Sequence, residues 1–332
     1  MSNELLKYAV KVAEKVNMIL GDVVRGDEKQ LYDASYYLLK AGGKRLRPLL
    51  TVLSARLFGL SEDISIYPAA SVELLHNFTL IHDDIMDRDE FRRGIPTVHK
   101  VYGEAMAILA GDLLFAKSFE VMFRLVGVIP YERIVKALKE LTWAAVTVAE
   151  GQALDMEFEG RADVKVDEYL KMVFKKTAAL FKASAYIGAV VAGAEESDLE
   201  RISEFAKNIG IAFQIRDDEL GLVGDEKVLG KPVFSDLREG KKTILVIYAL
   251  ERVNDEQRRL ILDILGNRNA SVEEFKKVAN IIIESGALEY SNRVAEEYLR
   301  KGMSKLEEIN TKDLEAKYLL REFAEFLTKR LY

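Results

Sequence analysis

The stretch from Val72 to Thr97, VELLHNFTLIHDDIMDRDEFRRGIPT, constrains the fold most: a helix-like apolar approach runs into three carboxylates, Asp83, Asp84 and Asp87. Positions i and i+4 of an α-helix share a face, so Asp83 and Asp87 align, with Asp84 on their shoulder. His76 falls near the same stripe two turns earlier. Carboxylates this close repel one another unless a cation neutralises them. All-oxygen ligands suit Mg²⁺, which commonly takes one or two carboxylates plus the phosphates of a substrate. Arg92 and Arg93 follow, with forked donors that suit phosphate. Alone, the stretch reads sooner as a solvated acidic helix end followed by a basic loop.

Residues 213–243, FQIRDDELGLVGDEKVLGKPVFSDLREGKKT, repeat the arrangement: an apolar approach, then Asp217 and Asp218, then Lys231, Lys241 and Lys242. Two such clusters in one chain predict a cavity where two helices aim carboxylates at each other with metal between. That site binds a diphosphate, not a lone cation.

Five prolines in 332 residues leave long helices uninterrupted, and runs of strand character are hard to find, so the chain reads as all-α. Expected helices cover 3–25, 28–41, 47–58, roughly 66–90, 104–126, 131–158, 168–176 and 177–194, then one opened by a capping box at Ser197/Glu200. The remainder, 242–332, is helical, with capping boxes at Asn254/Gln257 and Ser271/Glu274 and a stop at Gly266. Gly42 reads as a C-cap. No repeat or low-complexity linker appears, so 1–332 is expected to be one domain.

A hydrophobic content of 49% is ample for a core, and a net charge of −6 argues against nucleic acid as the main partner. Without cysteine there is no disulfide framework, thiolate site or Cys nucleophile. The N-terminus lacks the apolar core of a signal peptide. The most apolar run, Ala178 to Ala194, is interrupted by Lys182 and falls short of a membrane span. A cytoplasmic enzyme with no transmembrane segment is expected.

Other stretches carry weaker signals. GGKRLRP at 42–48 offers Lys44, Arg45 and Arg47 beside flexible glycines, but its spacing is not that of a P-loop. Glu73 and His76 match the E-x-x-H of di-iron bundles, yet no second copy exists. Gln152 and Asp155 read as a polar pair at a helix end. Lys176-Thr177 at a helix break would suit phosphate.

Taken together, G-G-K-R-L-R-P at 42–48, D-D-x-x-D with R-R-G at 83–94, G-Q at 151–152, K-T at 176–177, F-Q-x-x-D-D at 213–218 and G-K-P at 230–232 resemble the trans-isoprenyl diphosphate synthases. This is the family of farnesyl and geranylgeranyl diphosphate synthases. The resemblance runs from about Gly42 to Thr243. It implies a single-domain bundle of long antiparallel helices around a deep central cavity, and a homodimer. It implies three Mg²⁺ per site, with Asp83, Asp84, Asp87 and Asp217 as metal ligands and Asp218, Lys176 and Lys231 completing the catalytic set. Lys44, Arg47, His76 and Arg93 would hold isopentenyl diphosphate. Arg92, Lys176, Thr177, Gln214, Lys231 and Lys241 would hold the allylic diphosphate. In the family an aromatic residue at Phe78, with aliphatic neighbours such as Leu75, goes with a C20 product, so geranylgeranyl diphosphate is expected, with farnesyl diphosphate as intermediate or second product. Gly221 stands where the second motif would carry its last carboxylate; Asp225 and Asp236 are candidates to help. A terpene cyclase would lack the isopentenyl site, and a non-catalytic partner subunit would have lost an aspartate motif or the phosphate lysines.

Overall fold

The breakers in the sequence act close to where they stand. In the computed structural model, residues 2–223 and 234–328 are described. Helices run Asn3–Val23, Lys29–Lys40, Leu46–Leu57, Glu62–Met86, Val98–Tyr102 and Glu104–Glu120, followed by a 3₁₀ turn, Val121–Leu125. Next come Tyr131–Glu159, Val166–Val173, a π-helical turn Phe174–Ala178, Ala179–Ala192 and Glu196–Val223. The later helices are Ser235–Glu239, Ile244–Leu250, Asp255–Ile264, Val272–Glu284, Ala287–Glu307 and Leu314–Thr328. Strand pairing among the described residues amounts to a two-residue hairpin, Phe91–Arg92 against Ile95–Pro96. The fold is all-α.

Local caps explain several boundaries. Gly42 adopts φ +87° just past Lys40, and Gly266 adopts φ +82° just past Ile264, both in the left-handed region that favours glycine. The capping boxes at Asn254/Gln257 and Ser271/Glu274 form. The one at Ser197/Glu200 does not. That helix starts at Glu196, and the Asp198 and Leu199 N–H groups both donate to the Glu195 carbonyl at 2.9 Å. The first acidic helix is Glu62–Met86 rather than 66–90, because the chain leaves helical geometry at Arg88, φ +57°. Nor does the chain break at Lys176-Thr177; it widens there into the π turn, with the Ala179 N–H reaching back to the Phe174 carbonyl.

The chain gathers into two compact units. The first comprises Met1–Ala145, Leu180–Ala206 and Met303–Ala324. Its core is built on the Leu46–Leu57 and Glu62–Met86 helices, where Leu49, Leu50, Leu53, Leu74 and Leu75 are fully buried. Each such side chain contributes about 1.5–3 kcal/mol. Gly188 lets its helix approach Leu46–Leu57 closely, since a Cβ there would overlap the Thr51 carbonyl. Lys182, the charge inside the apolar run, donates to Glu140 at 2.6 Å and lies 4.0 Å from the Trp143 ring centroid. No described helix is long and apolar enough to cross a membrane.

The second unit comprises Val146–Ala179, Lys207–Gly302 and Glu325–Tyr332. Phe158, Tyr169, Ile211, Ile215, Ile244, Phe275 and Ile282 belong to one buried cluster there. Phe234, at φ +65°, stacks on Phe275 with centroids 6.4 Å apart, and Arg238 covers the same ring.

Candidate active site

In the first unit, Asp83 and Asp84 occupy the last turn of the Glu62–Met86 helix and Asp87 is its C-cap. A helix C-terminus carries partial negative charge, so each carboxylate there costs about 0.3–1 kcal/mol until a cation offsets it. Asp84 is 1% exposed and accepts from Arg92 Nε; Arg92 also reaches Asp89 at 3.3 Å. Burial works against the Arg92 charge, but Asp84 and Asp89 outweigh it and hold the group above the usual arginine range. Asp83 and Asp87 remain half-buried. One aspartate therefore braces an arginine while two keep access to solvent.

The hairpin turns at Arg93, φ +54°, and Gly94, φ +75°, the two-residue turn that matches strand twist. A non-glycine residue held there needs compensation. Arg93 Nη1 supplies it by donating to the carbonyls of Leu38, at 3.0 Å, and Gly42, and to Asn77 Oδ1 at 3.4 Å. Burial, together with Arg45 and Arg92, lowers its pKa to about 10. Expected as a ligand for isopentenyl diphosphate, Arg93 is also a clamp on the glycine loop.

The basic loop sorts its charges by direction. Arg45, at φ +46°, is buried; it donates to Asn17 at 3.0 Å, to Glu73 at 2.6 Å and to the Leu39 carbonyl at 2.7 Å. Glu73 also accepts from Asn77 Nδ2 at 2.9 Å. It is a partner for Arg45, not a metal ligand. Lys44 is exposed. Arg47 Nη1 donates to His76 Nε2 at 3.0 Å, and its guanidinium lies 4.6 Å from the Phe181 ring centroid. Because arginine only donates, His76 is neutral, with its proton assigned to Nδ1. Burial first, then Arg47, Arg93, Arg92 and Arg45, push its pKa well below the usual histidine value.

Phe78 packs edge-on against His82, with centroids 4.8 Å apart, and 5.2 Å from Phe115, which itself meets Phe119. Leu75 is fully buried.

In the second unit, a polar cavity of about 120 Å³ is lined by Asp155, Tyr169, Lys176, Thr177, Gln214, Asp217, Asp218, Asp236 and Lys241, among others. A Cβ on Gly151 would overlap the Lys176 backbone, so glycine admits the π turn here; such turns recur at functional sites. Lys176 Nζ donates to Asp155 at 2.5 Å. Thr177 donates to Gln214 Oε1 at 2.8 Å, and Gln214 Nε2 to Asp218 Oδ1 at 2.8 Å. The Tyr169 hydroxyl donates to Asp218 Oδ2 at 2.7 Å. Burial, with Asp236 and Asp217 adding to it, raises the Asp218 pKa well above the carboxylate range. Asp217, by contrast, is exposed. Lys241 pairs with Glu239 at 2.5 Å. Lys242 turns inward, onto the Glu159 carbonyl at 2.9 Å, and burial lowers its pKa.

Gln152 and Asp155, read as a polar pair at a helix end, are 7% and 6% exposed. Lys231, like Asp225 and the G-K-P turn, lies outside the described residues. Tyr169 is the residue that sequence reasoning misses, since no spacing marks a lone buried tyrosine as the partner of an aspartate in another helix. Among the described residues no three acidic or histidine side chains converge into a preformed metal cluster. The half-exposed Asp83 and Asp87 and the exposed Asp217 are nevertheless the hard oxygen donors that Mg²⁺ prefers.

Comparison with known proteins agrees with this inventory. The polyprenyl synthetase family model matches residues 28–282. The geranylgeranyl diphosphate synthase of Sulfolobus acidocaldarius is 49% identical, over 97% of this chain and 98% of its own length. The geranylfarnesyl diphosphate synthase of Aeropyrum pernix is also 49% identical, over 91% and 95%. The crystal structure of geranylgeranyl pyrophosphate synthetase from Pyrococcus horikoshii superposes with a TM-score of 0.90 at 36% identity, covering 98% of this chain and 99% of that one. The chain belongs to the polyprenyl synthetase family.

Proposed function

We propose that this protein is a Mg²⁺-dependent prenyltransferase. It joins isopentenyl diphosphate head-to-tail to C5, C10 and C15 allylic diphosphates and delivers C20 geranylgeranyl diphosphate. The observation that carries the reading is a pattern repeated in both units. Each presents a solvent-reachable aspartate beside a buried one whose hydrogen bonds fix a phosphate-binding group: Asp83 and Asp87 beside Asp84–Arg92, and Asp217 beside Asp218–Gln214–Thr177.

Both motifs act on the allylic diphosphate, through Asp83, Asp84, Asp87, Asp217 and Asp218. Bound Mg²⁺, three ions per site, supplies positive charge to the leaving diphosphate. Arg92 is held in place by Asp84 and Lys176 by Asp155, so both meet that growing charge with little reorganisation. Lys231, Lys241, Thr177 and Gln214 complete the clamp. Lys44, Arg47 and Arg93 bind isopentenyl diphosphate, and His76 orients Arg47 by accepting a hydrogen bond from it. As the allylic C–O bond breaks, the isopentenyl double bond forms the new C–C bond. The proton lost from the isopentenyl unit goes to the departing diphosphate.

Overall likeness does not choose the product, since the C20 and geranylfarnesyl enzymes share the same identity with this chain. We assign the stop on elongation to Phe78, backed by Phe115 and flanked by Leu75. The chain acts as a homodimer in the cytoplasm. Ile108, Leu109, Phe115 and Phe123 leave apolar surface exposed on and just after the Glu104–Glu120 helix, a face a second copy would cover.

Purified protein is incubated with Mg²⁺, labelled isopentenyl diphosphate and, separately, each allylic primer, and the dephosphorylated products are separated by length. A C20 alcohol from all three is expected. Products of C25 or longer would keep the chemistry and discard Phe78 as the stop, as would an unchanged C20 product from Phe78→Ser. No incorporation would leave a partner-subunit role. Light scattering should give the mass expected of a dimer.

A further inference from the structure

Gly221 lies four residues after Asp217, on the face where D-D-x-x-D carries its last carboxylate. That place is not open. A Cβ built on Gly221 would sit 2.6 Å from Asp236 Oδ2 and 3.4 Å from its Cγ. A carboxylate from a different helix thus lies against the position that the sequence leaves without one. Asp236 also lines the cavity shared by Lys176, Thr177 and Asp217.

The fold holds Asp236 firmly. Its short helix, Ser235–Glu239, is entered through left-handed Phe234 and left through Gly240, φ +84°. Leu237 is buried, and its carbonyl accepts from the Gly266 N–H at 2.8 Å. The Asp236 carbonyl accepts from the Lys241 N–H at 2.9 Å. The position of this carboxylate is therefore built by the backbone around it.

We propose that Asp236 is the missing carboxylate of the second motif, supplied from another helix, and that with Asp217 it binds the metal-loaded diphosphate. The inference rests on the prenyltransferase reading. It also accounts for the glycine at 221, because a side chain there would have to displace the Asp236 carboxylate.

The test moves the charge back. Mg²⁺-dependent binding of inorganic diphosphate is measured by calorimetry for the wild-type protein, Asp236→Ala, Gly221→Asp and the double variant Gly221→Asp/Asp236→Ala, with folding checked by thermal melts. Asp236→Ala should weaken binding at least tenfold. Gly221→Asp alone should also weaken it, through crowding. The double variant, which removes the colliding atoms and restores a carboxylate four residues after Asp217, should recover to within about threefold of wild type. Unchanged binding in Asp236→Ala would overturn the proposal. So would a folded double variant no better than Asp236→Ala. Prenyl transfer by the wild-type protein is assayed in parallel: wild-type binding without product would count against the prenyltransferase reading alone, and product formation with Asp236→Ala binding intact would count against Asp236 alone.

Discussion

The two acidic motifs begin with the same pair of residues and settle the second aspartate in opposite ways. Asp84 is buried against a full cation, Arg92. Asp218 is buried too, but among the described residues its hydrogen-bond partners are neutral, the Tyr169 hydroxyl and the Gln214 amide, and Asp236 and Asp217 add negative charge nearby. The first motif thus holds its buried aspartate with a cation, whereas the second holds its buried aspartate with neutral donors. The lesson is that a D-D string tells neither which carboxylate is a ligand nor which is a brace. That division comes from what each helix packs against.

The largest effects should follow the aspartates that keep access to solvent. Asp83→Ala and Asp217→Ala should each lower turnover about a thousandfold, roughly 4 kcal/mol, as for the loss of one preorganised charge contact at a reacting centre. Asp218→Asn keeps an acceptor for Tyr169 and should lose only about tenfold by the same scale. Steady-state rates at saturating Mg²⁺ decide it. Equal losses at Asp217 and Asp218 would abolish the distinction between ligand and brace in the second motif.

Stability sharpens the contrast, because one substitution should act oppositely at the two sites. Asp84→Asn removes the buried carboxylate that Arg92 Nε meets and leaves Arg92 with Asp89, so it should cost about 3 kcal/mol, the low end for a broken buried pair. At Asp218 burial already disfavours the charged form, so Asp218→Asn should be neutral or stabilising, by up to about 1 kcal/mol. Urea unfolding without metal, near neutral pH, measures both. A clear destabilisation by Asp218→Asn would erase the contrast between the two buried aspartates.

This contrast was only partly legible in the sequence. The helical class followed from long periodic runs with few prolines, and two of three proposed capping boxes formed because side chain and N3 partner are local in the chain. The Ser197 box failed because Glu195 and the chain before it set the start of that helix. In GGKRLRP, spacing alone could not separate the inward Arg45 from the outward Lys44; the separation depends on Glu73, 28 residues away. Asp83, Asp84 and Asp87 were readable as a group. That Arg92 would take Asp84 depended on a two-residue hairpin whose turn has a non-glycine at positive φ, and no propensity argument selects that conformation. Glu73-x-x-His76 was ambiguous as a string. Arg45 and Arg47 each claim one member.

The smallest expected effect probes the cation-rich side of the comparison through His76. Burial and four nearby arginines depress its pKa well below 6.5, so the folded protein keeps it neutral while the unfolded chain protonates it below about pH 6.5. A base with a depressed folded pKa contributes stability that is complete above the unfolded value and is lost as pH falls toward the folded one. The wild-type protein should therefore weaken between about pH 6.5 and 5, by at most about 1.4 kcal/mol per pH unit from this group. His76→Asn, whose amide oxygen can still accept from Arg47, should flatten that slope, and should raise KM for isopentenyl diphosphate severalfold while leaving KM for the allylic primer unchanged. Melting curves across that range, with kinetics at neutral pH, give both readouts. A variant with the wild-type slope would show that His76 titrates normally. That result would remove the crowded arginines from the account of the first unit and leave only the Asp84–Arg92 pair to set it apart from the second.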